Sequence, residues 1–276
     1  MNKYFTVEVF PTILPAASIV YTTDDVMFDW TSFQVPRGAN KLISISVIMR
    51  GINGAAQSNK DITFTFAKTI KGSAPATMGA VNATSTAIPA VSNHIIGMAH
   101  VDGAGDFGSN AFDYFSIAQT GSGAAASLIP MCVLEGEIHS GTNVGYDTLY
   151  IGAHSGQGVH DFGTAVLTDA TVDVSGLSAA TLSGIDGTDP RTVFAVGDII
   201  HATDNIILGE IASMADANTI TFKADGSATE SGTSYTVPAD LAAWRVQNGA
   251  GAAGDLASGD ELYNINPITV ILHCEK

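Results

Sequence analysis

Apolar and polar positions alternate with a period of two through most of this chain, the repeat of a strand that buries one face. Phe5, Val7 and Val9 alternate with Tyr4, Thr6 and Glu8, and Val26, Phe28 and Trp30 are spaced in the same way. Ile43, Ile45, Val47 and Met49 alternate with Ser44, Ser46 and Arg50, and Ile62, Phe64 and Phe66 with Thr63 and Thr65. Further strands are predicted over residues 94–100, 112–117, 127–135 and 148–153. Between them lie Gly-, Asn- and Ser-rich segments such as GINGAAQSNKD, which carry turn chemistry. Short strands at this spacing predict a jelly-roll-like β-sandwich over residues 1–162.

The pattern changes after Phe162. The runs FAVGDII, IILGEIASM and NTITFKA form the centre of a second, smaller β-barrel-like module, expected over residues 163–258. Within it a Gly-Asp turn precedes a bent strand. Residues 238–247 read equally as a strand or as a short helix with Pro238 at its first position. Residues 259–276 hold a last strong strand, 267–273, expected to return to one of the sheets. No long amphipathic helix interrupts the pattern, so the predicted fold class is all-β.

Composition narrows the function. Only 14% of the 276 residues are charged, against about 25% in an ordinary soluble domain. Gly, Ala, Ser and Thr take their place, as suits sheet faces, loops or surface covered by other protein. Acidic residues outnumber basic ones 27 to 11, for a net charge of −16. That field repels phosphate backbones, and no basic stripe offsets it, so neither nucleic acid nor an anionic membrane is an expected partner. No apolar run approaches the ~18 residues of a membrane span. The start, MNKYFTVEVFPTILP, alternates like a strand and lacks the layout of a signal peptide. Its Pro11 and Pro15 suit an extended arm lying on a neighbouring subunit. Cys132 and Cys274 each lie in an apolar run and read as buried thiols of a protein made in a reducing cytoplasm.

Candidate chemistry is sparse. Residues 103–108, GAGDFG, match the dinucleotide fingerprint, but the following SNAFDYFSI reads as loop and strand where that motif needs a helix. Asp102, Asp106 and Asn110 offer oxygen donors for Ca²⁺ without the spacing of an EF-hand loop. His154, His160 and Asp161 are close in sequence, but two intervening glycines deny them the rigid spacing of zinc hydrolases. Glu135 and Glu137 share a face of a strand-like run and read as solvated surface carboxylates. No G-x-S-x-G elbow occurs. Asn82-Ala83-Thr84 matches a glycosylation sequon and carries little weight without a secretory signal. No catalytic, cofactor-binding or metal-ligating residue is therefore named, no cofactor is expected, and the chain is expected not to be an enzyme.

Three stretches resemble virion structural proteins of tailed bacteriophages, especially marine and cyanobacterial phages. They are SGTNVGYDTLYIGAHSG with DFGTAVLTDATVDVSG, then RTVFAVGDIIHATDNIILGEIASM, then LASGDELYNINPITVILHCEK. The resemblance implies a shell or tail component, often trimeric, and brings no catalytic residues. A capsid protein of the common tailed-phage type needs a long spine helix, which the pattern lacks, and its inner face meets packaged DNA, where an acidic chain is poorly placed. The expectation is a decoration (cement) protein on the outer capsid surface, assembled in the host cytoplasm. Its partners would be the major capsid protein and copies of itself, as a homotrimer. The alternative is a tail, neck or head-fibre component with a carbohydrate-binding attachment role.

Overall fold

The computed structural model describes residues 3–13, 20–49, 61–85, 89–101, 107–109, 114–119, 132–137, 145–156, 160–161, 163–167, 171–173, 181–183, 185, 189–202, 206–223, 253–255, 260–264 and 266–276. Among these the protein is nearly all β, and no helix is long and apolar enough to cross a membrane. A single helical turn, α1, spans Pro89–Ser92.

Two antiparallel sheets form a sandwich. The first runs β1 (Tyr4–Val9), β20 (Ile268–Glu275), β4 (Asn40–Met49), β8 (Tyr114–Gln119) and β7 (Phe107–Ser109), with β9 (Val133–Leu134) also pairing β4. The second runs β3 (Val26–Pro36), β10 (Tyr146–Ser155), β5 (Ile62–Lys68) and β6 (Ile95–Val101). Set β7 and β9 aside, and number the main strands along the chain as β1, β3, β4, β5, β6, β8, β10 and β20. The sheet orders are then 1-8-3-6 and 2-7-4-5. This is the strand order of a jelly roll, as the alternation predicted.

The core between the sheets comes from the inward residues of each strand. Ile45, Val47 and Met49 on β4 and Ile268, Val270 and Leu272 on β20 meet Phe64 and Phe66 on β5 and Leu149 and Ile151 on β10, all of them fully buried. The rings of Phe33 and Phe66 meet edge to face at 6.3 Å, and those of Phe28 and Phe64 lie tilted at 6.5 Å. Alternation fails in several strands, and in β4 and β3 the local cause is plain. A register shift between His273 and Cys274 turns Leu42 inward, and Ile43 faces outward with Tyr4, Thr6 and His273. On β3 the consecutive Val26, Met27 and Phe28 are all buried, because the connection after β5 folds back over the outer face of the second sheet. There Trp30 Nε1 donates to the Ala76 carbonyl at 2.7 Å, the Met78 amide to Asp29 Oδ1 at 2.9 Å, and the Asn82 amide to the Val26 carbonyl at 2.9 Å.

The start of the chain corrects one expectation. It is no free arm: β1 pairs with β20 along its whole length, from Tyr4 opposite Glu275 to Val9 opposite Val270. Val9 and Ile13 are buried in the sandwich core, and the Asn266 side-chain amide donates to the carbonyls of Phe10 and Pro11.

A second sheet system occupies the chain between β10 and β20. Its eight strands are β12 (Gly163–Leu167), β13 (Thr171–Asp173), β14 (Thr181–Ser183), β15 (Ile199–Ala202), β16 (Ile206–Asp216), β17 (Thr219–Phe222), β18 (Ala253–Asp255) and β19 (Asp260–Asn264). They pair in the order 12-19-15-16-17-14-13-18, an open path rather than a closed barrel among the described residues. β16 is long and bent: its first half pairs β15 and its second half β17. Gly209, at φ +143° against the Phe222 ring, sits near the changeover, a backbone state that a side chain would strain. Before the bend, Gly197-Asp198 makes the turn, with the Gly197 amide donating to the Ile211 carbonyl and the Ile211 amide to that of Asp198. Residues 238–247 lie outside the described residues.

Candidate functional site

The richest polar cluster lies where β10 ends and the chain leaves for the inserted sheet. At this end β3 begins, β5 begins and β6 ends, so the ladder aligns His154 of β10 with Thr63 of β5, and Thr63 with His100 of β6. Thr63 Oγ1 lies 3.0 Å from His100 Nδ1, and His100 Nε2 lies 3.9 Å from Asp61 Oδ2. The Asp61 carbonyl accepts the Gly156 amide at 2.8 Å and faces His160 Nε2 at 3.0 Å. His160 begins β11 (His160–Asp161), whose partner is β2 (Val20–Tyr21). Asp25 closes the corner by accepting the amide and hydroxyl of Thr22 at 2.7 and 2.9 Å.

Burial favours the neutral form of two side chains here. Burial lowers the His154 pKa below its ordinary value, with Asp24 opposing the shift. His154 Nε2 is shut off from solvent without a hydrogen-bond partner, and so is Ser155 Oγ. Burial also raises Tyr21, and Asp25 adds to the rise. The arrangement ties the root of the insertion to three strands and the β2 corner. Among the described residues no three His, Cys, Asp or Glu side chains converge as metal ligands.

The other sequence candidates separate. His154 lies within the β10 ladder and His160 on the β2 corner, each with its own neighbours, and the side chain of Asp161 lies outside the described residues. Asp102, Asp106 and Asn110 also lie outside them, while Phe107 and Gly108 of the glycine motif belong to strand β7. Glu135 is exposed; Glu137 is half-buried and accepts the backbone amides of Lys71 and Gly72, which fixes a turn. Asn82 stands at φ +57° in the covering connection, and Thr84 Oγ1 donates to Asp25.

Cys132 and Cys274 are free and buried, with pKa values raised to about 11 and about 12 by burial. Cys274 is paired with Leu42 across one edge of β4, and the Leu42 amide donates to the Cys132 carbonyl across the other. Two strand spacings, ~9.6 Å, therefore separate their backbones, beyond the ~7 Å that a disulfide spans.

One pair escapes sequence reasoning. Ser46 Oγ lies 2.9 Å from His273 Nε2 on the outer face of the first sheet. The two residues are 227 apart in the chain, and only the β4–β20 register brings them together. A shallow depression of about 440 Å³ opens beside them, lined by Tyr4, Phe5, Thr6, Ile43, His273 and Cys274.

A scan of the chain against protein-family models finds no match, and no curated protein matches it.

Proposed function

We propose that this chain is a non-enzymatic virion structural protein that decorates the outer surface of a tailed-phage capsid and bridges its capsomers. The observation that carries this reading is the jelly-roll sandwich with a second β sheet inserted between its last two strands. Jelly rolls recur in viral shells and lectins, where they present rigid faces and long end loops to other molecules. The resemblance of three stretches to phage virion proteins supplies the class, since a fold alone does not name a function.

Two further features support a structural role. The Ser46–His273 pair has the spacing of a nucleophile and base, but β4 is paired along both edges. Its amides are engaged in ladders, so they cannot act as oxyanion donors. Ser46 is also only 4% exposed. Trp30, half-buried beside Gly152, hydrogen-bonds to Ala76 and so works as part of the protein's own covering layer.

Immunogold microscopy of purified particles tests the reading. Label is expected on heads, and heads stripped of the protein should lose resistance to heat or osmotic shock. Label confined to tails or fibres would replace this proposal with the attachment role, and equally robust stripped heads would remove the cementing function.

A further inference from the structure

The two outer faces of the sandwich differ. The outer face of the second sheet is covered by the protein's own connection: Met78 is 5% exposed, and a side chain on Gly152 would meet its Sδ at 2.1 Å. The outer face of the first sheet carries no comparable cover from the described chain.

Register lays that open face out in rows. Tyr4, Glu275 and Lys41 cross one end; Thr6, His273 and Ser44 come next, then Glu8, Ile271 and Ser46, then Thr269 and Ile48. The alternate residues Val270, Leu272 and Cys274, with Ile45 and Val47, point into the core. Ser46 lies buried between its neighbours, so the accessible centre of the face is Ile271, Ile48, Thr269, Ser44 and His273, each half-buried. Its charges are Glu8 and Glu275 against Lys41 and Lys3, whose ammonium pairs with Glu275 at 2.5 Å. Among the described residues two acids thus stand against two bases on this face, on a chain of net charge −16.

We infer that this face packs against the same face of a second copy of the chain. Charge selects the occupant: strongly acidic copies repel everywhere except across a balanced surface, and Lys41 and Glu275 at one end can serve both copies. Size permits it. Four strands ~4.8 Å apart and about eight residues long give a projected area of ~500 Å² before side-chain relief. That is on the order of the ~800 Å² per partner of a stable complex. Aligned sheet-on-sheet packing is an ordinary geometry for such faces. A contact of one face with itself is isologous and closes at two copies, so the self-assembly in the decoration reading becomes two-fold, in place of the trimer expected from sequence. The inference deepens that reading but its test does not depend on it.

Light scattering of the full-length protein reads the outcome. The wild type is expected at twice the 28.4 kDa of the chain. Ile271→Asp and, as a second independent variant, Thr269→Arg should each give monomer with an unchanged circular dichroism spectrum. Gln34→Asp, on an exposed position of the other sheet, should leave the mass unchanged. A monomeric wild type, a trimer, or a dimer indifferent to both variants overturns the inference. So does a monomer whose particle binding is lost with Ile271→Asp, which would assign the face to the capsid. A dimer that dissociates as expected but is absent from particles keeps the inference and removes the virion reading.

Discussion

At Gly152 the covering connection comes so close to the sheet that an added side chain would have to displace the Met78 thioether. A Cβ there would lie 2.1 Å from Met78 Sδ and 3.3 Å from Trp30 Cε3. Gly152→Ala is expected to cost about 1–3 kcal/mol, read as a lower urea midpoint, and Met78→Ala in the same chain should return part of it. A neutral Gly152→Ala would mean that the connection does not pack there. His154 sets a second test. Its folded pKa lies below the ordinary 6.5, so the unfolded chain takes up the proton first as pH falls. Its contribution is fully present above 6.5 and is lost as pH drops from there toward the folded value. Urea midpoints taken above and below that pH should converge in His154→Gln; an unchanged pH dependence would rule His154 out as its source. The thiols were legible in sequence because both sit in apolar runs. They should resist a thiol reagent in the native protein and react on unfolding, and rapid native labelling would contradict their burial. The Ser46–His273 pair was not legible, because a contact across 227 residues exists only through register.

Among the elements, β5 places Ile62, Phe64 and Phe66 in the core as its alternation predicts, while Thr65 and Ala67 on its other face are buried as well. β4 and β3 depart from theirs for reasons that sequence does not display. One is a bulge in β4 itself, where Ile43 is the extra residue and Leu42 takes the inward place; the other is a second layer of chain over Val26. β1 was legible as a strand but misread in role, since extended apolar residues broken by prolines look alike whether they pair within the subunit or beyond it. The consequence can be tested. Removing residues 1–9 takes away Val9 from the core and leaves one edge of β20 unpaired. Full burial of one such side chain alone is worth about 1.5–3 kcal/mol. The truncated chain is expected to lose its cooperative thermal transition or to precipitate. A soluble protein with an unchanged melting temperature would restore the arm.

For the whole molecule, local patterning predicted strands on both sides of Phe162 and a last strand returning to a sheet; which sheet it joins was not legible in the pattern. The jelly roll is interrupted after its seventh strand and completed by β20 only after the inserted sheet. A chain in which residues 163–264 are replaced by a short Gly/Ser linker is therefore expected to retain a cooperative β fold. Among the described residues the sandwich core draws on β1, β3, β4, β5, β6, β9, β10 and β20 and on no residue of the insertion. Failure of that chain to fold, with the linker length varied, would show that the insertion is part of the sandwich's stability.

The strand that completes the sandwich is made after all of the sandwich's other strands. β20 lies between β1 and β4, so until it arrives the first sheet has a gap the width of one strand. Ile268, Val270, Leu272 and Cys274 are missing from the interior with it. A nascent chain on the ribosome can pair β3, β10, β5 and β6, yet it cannot close its first strand against anything. Closure of the sandwich therefore waits for this eight-residue strand to be captured between partners made more than two hundred residues earlier.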